Sequence, residues 1–293
     1  MSLVTQGLPS RRRTRVMRPW DWSVPPRGLA YREILTVEPD EPTGRPPLLM
    51  VHGVAHGAWC FAEKWLPAAA TRGFRSSAVS LRGHGGSGGA AQLGRATSRD
   101  YVHDILQAIT EMPEPPILIG HSMGGLLSQL VAERYPLRGL VLLAPAPANG
   151  AFGTLMHTLR VRPADALAVM VGRTLPMRPD VLFTSLDPVE AELLASRTGR
   201  ESAIAQYELL RRRRIGPVRC PVLVIGTHDD QIVRPVDVER TAQMYDVEPV
   251  WLDGMGHDVM LDADWQRALD TVLDWVDVNI PPGTPPLGPI ERG

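Results

Sequence analysis

Pro116-Ile117-Leu118-Ile119-Gly120-His121-Ser122-Met123-Gly124-Gly125 is the stretch whose reading decides the fold of this chain. The apolar run Ile117 to Ile119 is what a strand covered on both faces requires, and Leu126, Leu127, Leu130 and Val131 then recur at helical spacing. Secondary structure therefore changes at Ser122, the apex of a sharp turn. Gly120 and Gly124 flank the serine because so tight a strand-turn-helix brings neighbouring backbone too close for side chains there. One reading of these residues is a glycine-rich turn whose serine caps the helix; the other makes Ser122 a nucleophile.

Composition bounds the answer. A chain of 293 residues, 44% of them hydrophobic, can bury one large core, or a core plus an inserted lid. With a net charge of -1 and one lysine, Lys64, the positive charge rests on scattered arginines, which argues against a nucleic-acid partner. Cys60 and Cys220 lack metal-ligand spacing and read as small buried hydrophobes in a reducing compartment. Arg11, Arg12, Arg13, Arg15 and Arg18 are not followed by the apolar run of a secretion signal, and no stretch is long and apolar enough to span a bilayer. A cytoplasmic protein without an integral membrane segment, monomeric or homodimeric, is expected.

The serine motif has the GxSxG form of a nucleophile elbow, and at these residues the chain resembles the α/β-hydrolase superfamily. The remaining segments fit that resemblance over about residues 29 to 278. An edge strand is expected near Leu29 to Glu38 and a buried one over Leu48 to Val51. A helix from Trp59 to Thr71, a strand from Arg75 to Leu81 and a helix capped by Thr97 or Ser98 follow, in regular β-α alternation. Gly139 to Ala144, Cys220 to Gly226 and Glu248 to Leu252 read as further strands, closed by a helix from Ala263 to Val278. The expected architecture is a mostly parallel central sheet flanked by helices. Its organisation is a flexible arm over 1–27, core over 28–147, a helical cap over 148–217, core again over 218–279, and a disordered proline-rich tail over 280–293.

Three loops carry the chemistry that the resemblance implies. His52-Gly53-Val54-Ala55-His56-Gly57-Ala58-Trp59 is similar to the oxyanion loop of the branch containing plant methyl esterases and hydroxynitrile lyases. It makes the Val54 N–H and the Met123 N–H the expected oxyanion-hole donors, with His52, Gly53 and His56 orienting the loop. In that branch the lyases have a threonine where Gly53 stands and a lysine where Asp258 stands, so both departures favour ester hydrolysis. The loop at Arg82-Gly83-His84-Gly85 resembles a structural RGHG loop of the superfamily and lacks the ending of a phosphate-binding loop. Beyond the strand at 220–226, the pattern resembling D-x-I-V-x-P selects Asp230 as the triad acid, with Asp229 the competitor one residue earlier. Gly254-Met255-Gly256-His257 resembles the loop presenting the triad histidine, and the order Ser122, Asp230, His257 is that of the superfamily.

In the 148–217 segment, Met156, Met170 and Met177 are candidates to line an apolar acyl site. Arg211 to Arg214 read as a solvated face, with steering of an anionic substrate as the sharper alternative. The implied function is a serine hydrolase of carboxylic esters, carboxylesterase or lysophospholipase-like, acting on a small-molecule ester without metal or organic cofactor. Serine at the elbow disfavours the epoxide hydrolases and haloalkane dehalogenases of this fold, which attack with a carboxylate. A carbon–carbon bond hydrolase with the same triad, or a ligand-binding receptor or cyclase of little turnover, remains the alternative.

Overall fold

The computed structural model describes residues 4–6 and 31–283. Apart from 4–6, the segment expected as a flexible arm lies outside the described residues, as does the expected tail from 284 onward. An eight-stranded sheet is built from β1 (Val4–Gln6), β2 (Ile34–Val37), β3 (Leu48–Val51), β4 (Ser76–Val79), β5 (Ile117–His121), β6 (Gly139–Leu143), β7 (Val222–Gly226) and β8 (Val250–Trp251). Its order is β1-β2-β4-β3-β5-β6-β7-β8. The pairings of β1 with β2 and of β2 with β4 are antiparallel, and all the others are parallel. The mostly parallel sheet flanked by helices is therefore as expected.

Parallel strands need cover on both faces, and the alternation along each strand supplies it. Leu48, Met50, Ile117 and Ile119 face one layer with α1 (Trp59–Ala62), α2 (Trp65–Thr71) and α11 (Trp265–Asn279), through Phe61, Trp65, Leu269 and Val272. Leu49, Val51 and Leu118 face the other with α3 (Ser98–Glu111), α4 (Met123–Ala132) and α10 (Pro235–Met244), through Ile105, Leu127 and Val238. The single helix expected from Trp59 to Thr71 is two helices. Pro67 has no N–H to continue an i−4 ladder across Glu63 and Lys64, and the ring is tolerated only in the first turn of a new helix. Thr97 closes α3 with a full capping box to Asp100.

Residues 148–217 hold five helices: α5 (Phe152–Val161), α6 (Pro163–Met170), α7 (Pro179–Leu182), α8 (Pro188–Ser196) and α9 (Ala203–Leu209). They divide into two sets. Val181, Leu182, Ala191 and Leu194 of α7 and α8 join the core layer that contains Trp65. By contrast α5 has no buried residue and exposes Phe152, Met156 and Leu159.

The elbow glycines are held to their identity by close approach. A Cβ on Gly120 would lie 2.5 Å from the Gly124 carbonyl oxygen, and one on Gly124 would overlap the carbonyl oxygens of Val51 and His52. Gly124→Ala is expected to cost about 1–3 kcal/mol or more, because backbone and not a side chain must give way. Gly94→Ala, where a Cβ meets nothing within 4 Å, is the control and stays within about 0.5 kcal/mol of the parent. Urea unfolding of the two variants measures the difference.

Candidate active site

Because β3, β5, β6, β7 and β8 run parallel, their carboxyl ends deliver five loops to one edge of the sheet. Ser122 follows β5 with φ 52° and ψ −118°, a strained conformation for a residue with a Cβ. Backbone bonds hold it there: its N–H donates to the Leu143 carbonyl at 2.9 Å, and its carbonyl accepts from Gly125 and Ala146 N–H, both at 2.9 Å. Its hydroxyl makes no capping bond to α4, so the helix-capping reading fails; the residue lines a cavity instead.

Asp230 and His257 meet at the same edge. The His257 Nδ1–H donates to Asp230 Oδ2 at 2.7 Å, and Asp230 Oδ1 accepts from the N–H groups of Ile232 and Val233 at 2.7 and 2.9 Å. With Nδ1 committed, Nε2 is the nitrogen left for chemistry, and His257 lines the cavity that Ser122 lines. Burial works against a charged imidazole, but the Asp230 carboxylate and its hydrogen bond outweigh it and raise the His257 pKa above its ordinary value. The competing Asp229 points elsewhere, accepting the Gly254 N–H at 2.7 Å and so tying the two loops together.

The loop after β3 lies against the serine. A Cβ on Gly53 would come within 2.9 Å of the Ser122 Cβ. Among the described residues neither the Val54 nor the Met123 N–H has a hydrogen-bond acceptor. His52 accepts the Leu81 N–H on Nε2 at 3.0 Å, which leaves Nδ1–H to donate to the Gly53 carbonyl at 2.8 Å. Burial and the neighbouring His84 push its pKa well down, so it is a neutral, orienting group. His56 spans from the Val54 carbonyl (2.8 Å) to Asp258 Oδ2 (2.9 Å). Burial opposes its charge, yet Asp258 raises its pKa.

Around the cavity lies a set of buried pairings, and with them Glu201, that sequence reasoning missed. Asp258, fully buried, pairs with His56 and stands 3.7 Å from His121 Nε2. Burial would raise its pKa, but the His56 charge and hydrogen bond dominate and hold it down. His121 donates Nε2–H to the His257 carbonyl at 3.0 Å, and burial together with His257 pushes its pKa down to about 3. Glu201, from the segment between α8 and α9, accepts from Tyr101, His84 and the Ala55 N–H. Some of these partners are up to 202 positions apart, so no local pattern marks them. Among the described residues one group, His121, His257 and Asp258, has ligand atoms all within 4.8 Å. Of its atoms, His257 Nδ1 is engaged with Asp230, His121 Nε2 with the His257 carbonyl and Asp258 Oδ2 with His56.

The cavity is roofed by α5, α6 and α9 through Leu155, Val169 and Leu209, and floored by Val54, Ser122 and His257. Among the described residues no Asp, Glu, Lys or Arg lines it. Met177 does, whereas Met156 and Met170 are 40% and 55% exposed and do not, which corrects the expectation for those two. Arg212, Arg213 and Arg214 border a different cleft beside Asn149 and Arg240.

The description "Alpha/beta hydrolase family" belongs to the family model that matches residues 48–270. The chain belongs to that family. This hydrolase is 31% identical over 237 residues to the carbendazim hydrolyzing esterase of Nocardioides sp. (strain SG-4G), covering 73% of its own length and 93% of the relative's. It is 32% identical over 93 residues to methylesterase 3 of Arabidopsis thaliana, which is 31% of the hydrolase and 35% of that protein. The structure of polyneuridine aldehyde esterase superposes with a TM-score of 0.63 at 20% identity, over 80% of this hydrolase and all (100%) of that chain. A monoacylglycerol lipase of Paleococcus ferrophilus gives 0.64 at 21% identity, over 86% and 100%. The hydrolase is an ester-hydrolysing enzyme, and methylesterases among its relatives fit the branch read from residues 52–59. No helix among its described residues is long and apolar enough to cross a membrane.

The two aspartates make opposite predictions. Asp230→Asn is expected to lower kcat for an activated ester by roughly 10³ to 10⁴, since the amide no longer holds His257 in its tautomer. Asp229→Asn keeps an oxygen for the Gly254 N–H and should cost less than about tenfold; steady-state kinetics of both variants decides between them.

Proposed function

We propose that this hydrolase cleaves small, uncharged carboxylic esters through an acyl-enzyme on Ser122. His257 Nε2 takes the hydroxyl proton as Oγ attacks the carbonyl carbon, and Asp230 orients the imidazole and stabilises its charged form. The carbonyl oxygen, now anionic, is received by the Val54 and Met123 N–H groups. Collapse breaks the ester C–O bond, and the leaving alcohol takes the proton from His257. Water, deprotonated by the same imidazole, then attacks the acyl carbon and releases the acid and free Ser122. Neither a metal nor an organic cofactor enters these steps.

The observation that carries this reading is the convergence on one cavity of Ser122, the Asp230-bound His257 and the Val54 amide, which has no acceptor of its own. The lining bears on the substrate. An apolar wall relieved by Thr154, Thr158 and Gln206 suits a neutral acyl or alkyl group, whereas a charged one would be desolvated with no counter-ion. This weighs against a lysophospholipid and against steering by the arginine run. The relatives' names, a carbendazim-hydrolysing esterase and methylesterases, agree with a small-molecule ester. Helices α5, α6 and α9 act in this reading as a cap over the cavity.

Ser122→Ala is expected to lose on the order of 10³ to 10⁶ in kcat on p-nitrophenyl esters, and a fluorophosphonate should add once to the parent protein, on Ser122. A p-nitrophenyl ester with a terminal carboxylate should turn over at least tenfold more slowly than its neutral isostere. Turnover by the Ala variant, or an adduct on another residue, removes Ser122 from the role. The base must be neutral to act, so kcat/KM rises with pH through the raised His257 pKa and falls away below it. Asp230→Asn removes the interaction that raises it, so the acid limb of the residual activity moves to lower pH in a pH–rate profile.

A further inference from the structure

Ala55 follows the oxyanion donor Val54 and is gripped on both sides by residues that belong to the helical segment. Its N–H donates to Glu201 Oε2 at 3.2 Å, and its carbonyl accepts the Gly199 N–H at 2.7 Å. Its φ is +63°, a conformation that a residue with a Cβ keeps only when its surroundings enforce it. Glu201 is itself immobilised. Oε1 accepts from the Tyr101 hydroxyl at 2.5 Å and the Ser202 N–H at 2.7 Å, Oε2 also accepts from His84 Nε2 at 3.1 Å, and the Glu201 N–H donates to Thr174 Oγ1 at 2.8 Å. A carboxylate that is 6% exposed and takes four donors has one position available to it. Burial would raise its pKa, but the bonds from His84, Tyr101 and Ser202 hold it down, so it stays charged.

On the far side of the loop, His56 fixes the Val54 carbonyl and is anchored in turn on Asp258. The Val54 carbonyl and the Ala55 N–H belong to one peptide, which is thus held from the core side by His56 and from the helical segment by Glu201, while the preceding peptide, which carries the Val54 N–H, is held at its Gly53 carbonyl by the His52 Nδ1–H at 2.8 Å. A change in the plane of the Val54–Ala55 peptide is passed through the φ and ψ of Val54 to the peptide that carries the Val54 N–H, because successive peptide planes share the dihedrals of one residue.

We propose that Glu201 is a positioning residue of the oxyanion hole: by holding the Ala55 N–H it aims the Val54 N–H, so the helical segment completes a site otherwise built on the sheet. The inference rests on the reading of Ser122 as nucleophile and of the Val54 and Met123 N–H groups as oxyanion donors. A residue serving only to attach the helices would alter stability, or the entry of substrate. A residue aiming a donor alters affinity for the tetrahedral oxyanion and leaves ground-state binding alone.

The test uses the full chain and its Glu201→Gln and Glu201→Ala variants. It measures kcat and KM for p-nitrophenyl butyrate, inhibition constants for an alkyl trifluoromethyl ketone and for the matching methyl ketone, and thermal unfolding. The trifluoromethyl ketone adds Ser122 Oγ to give a bound oxyanion, whereas the methyl ketone reports the unreacted carbonyl. Glu201→Ala is expected to lower kcat by about 10- to 100-fold with KM within about twofold, and to weaken the trifluoromethyl ketone by a matching factor while the methyl ketone is unchanged. Glu201→Gln, which keeps one acceptor oxygen, falls between. Variants that unfold like the parent and keep kcat and the trifluoromethyl ketone within about twofold overturn the proposal, as does a rise in KM alone. If both variants fail to fold, Tyr101→Phe carries the test. It loosens Glu201 without removing it, and kcat and the trifluoromethyl ketone must weaken together by a few-fold or the proposal falls. Failure of the underlying reading is separable, because it appears in the parent protein as the absence of a fluorophosphonate adduct on Ser122.

Discussion

The strained turn at Ser122 is the constraint on which the rest of the structure depends. A residue with a Cβ held at φ 52° and ψ −118° costs on the order of 1–3 kcal/mol, and only the surroundings can maintain it. They do so through the sheet. The Ser122 N–H is taken by the carbonyl that ends β6, and the Ser122 carbonyl is taken by the first turn of α4 and by Ala146. For those bonds to form, α4 must start hard against the end of β3, which explains glycine at 124, and the His52 loop must pass within touching distance of the serine, which explains glycine at 53. The compactness that positions Ser122 is the same compactness that brings the His52 loop to it.

A second consequence is electrostatic. Packing five loops into one small volume buries a set of imidazoles, and each is neutral or charged according to its nearest carboxylate. His52 and His121 have no carboxylate within hydrogen-bond range; burial holds them neutral, and each spends its N–H on a backbone carbonyl. His56 and His257 each face an aspartate, and their pKa values rise. The two aspartates have different tasks. Asp230 acts on the ring through Nδ1, whereas Asp258, one residue after His257, is paired with His56 in the loop after β3 and adds only its field to His257. A basic residue at 258 would remove that partnership and leave His56 buried beside a like charge.

How much of this is legible in the sequence follows from how local each signal is. Strands β2 to β8, the elbow and the loop bearing His257 are each specified within about ten residues, and a linear reading places them; β1 falls in the segment read as a flexible arm, and the choice of Thr97 over Ser98 as the cap of α3 needs the backbone. The split of the first helix rests on a single proline at 67 and is outweighed by an unbroken apolar stripe when the sequence is read by periodicity. The D-x-I-V-x-P resemblance prefers Asp230 to Asp229, and loop geometry separates them by which carboxylate turns toward 257 and which toward 254. The partnerships of Glu201 with Ala55 and of His56 with Asp258 span 146 and 202 positions, so they exist only once the sheet has brought the loops together.

The helical segment shows why an apolar stripe does not identify a pocket. Leu155, Val169 and Leu209 face the cavity while Phe152, Leu159, Leu167 and Met170 face outward, although all lie in the same run of amphipathic helices. Periodicity says that a helix has an apolar face, not which of two sides is covered. What orients the segment is polar. Gly199 and Glu201 on Ala55, Ser202 on the Ala96 carbonyl, Arg197 stacked on Trp59 and Lys64 on Glu190 fasten it at its C-terminal half, next to α8. The half containing α5, with no buried residue, lies farther from these anchors. The polar anchors are thus concentrated where the segment touches the loop after β3, while the cavity is roofed by α5 and α6 from the other half and by α9 from the anchored one.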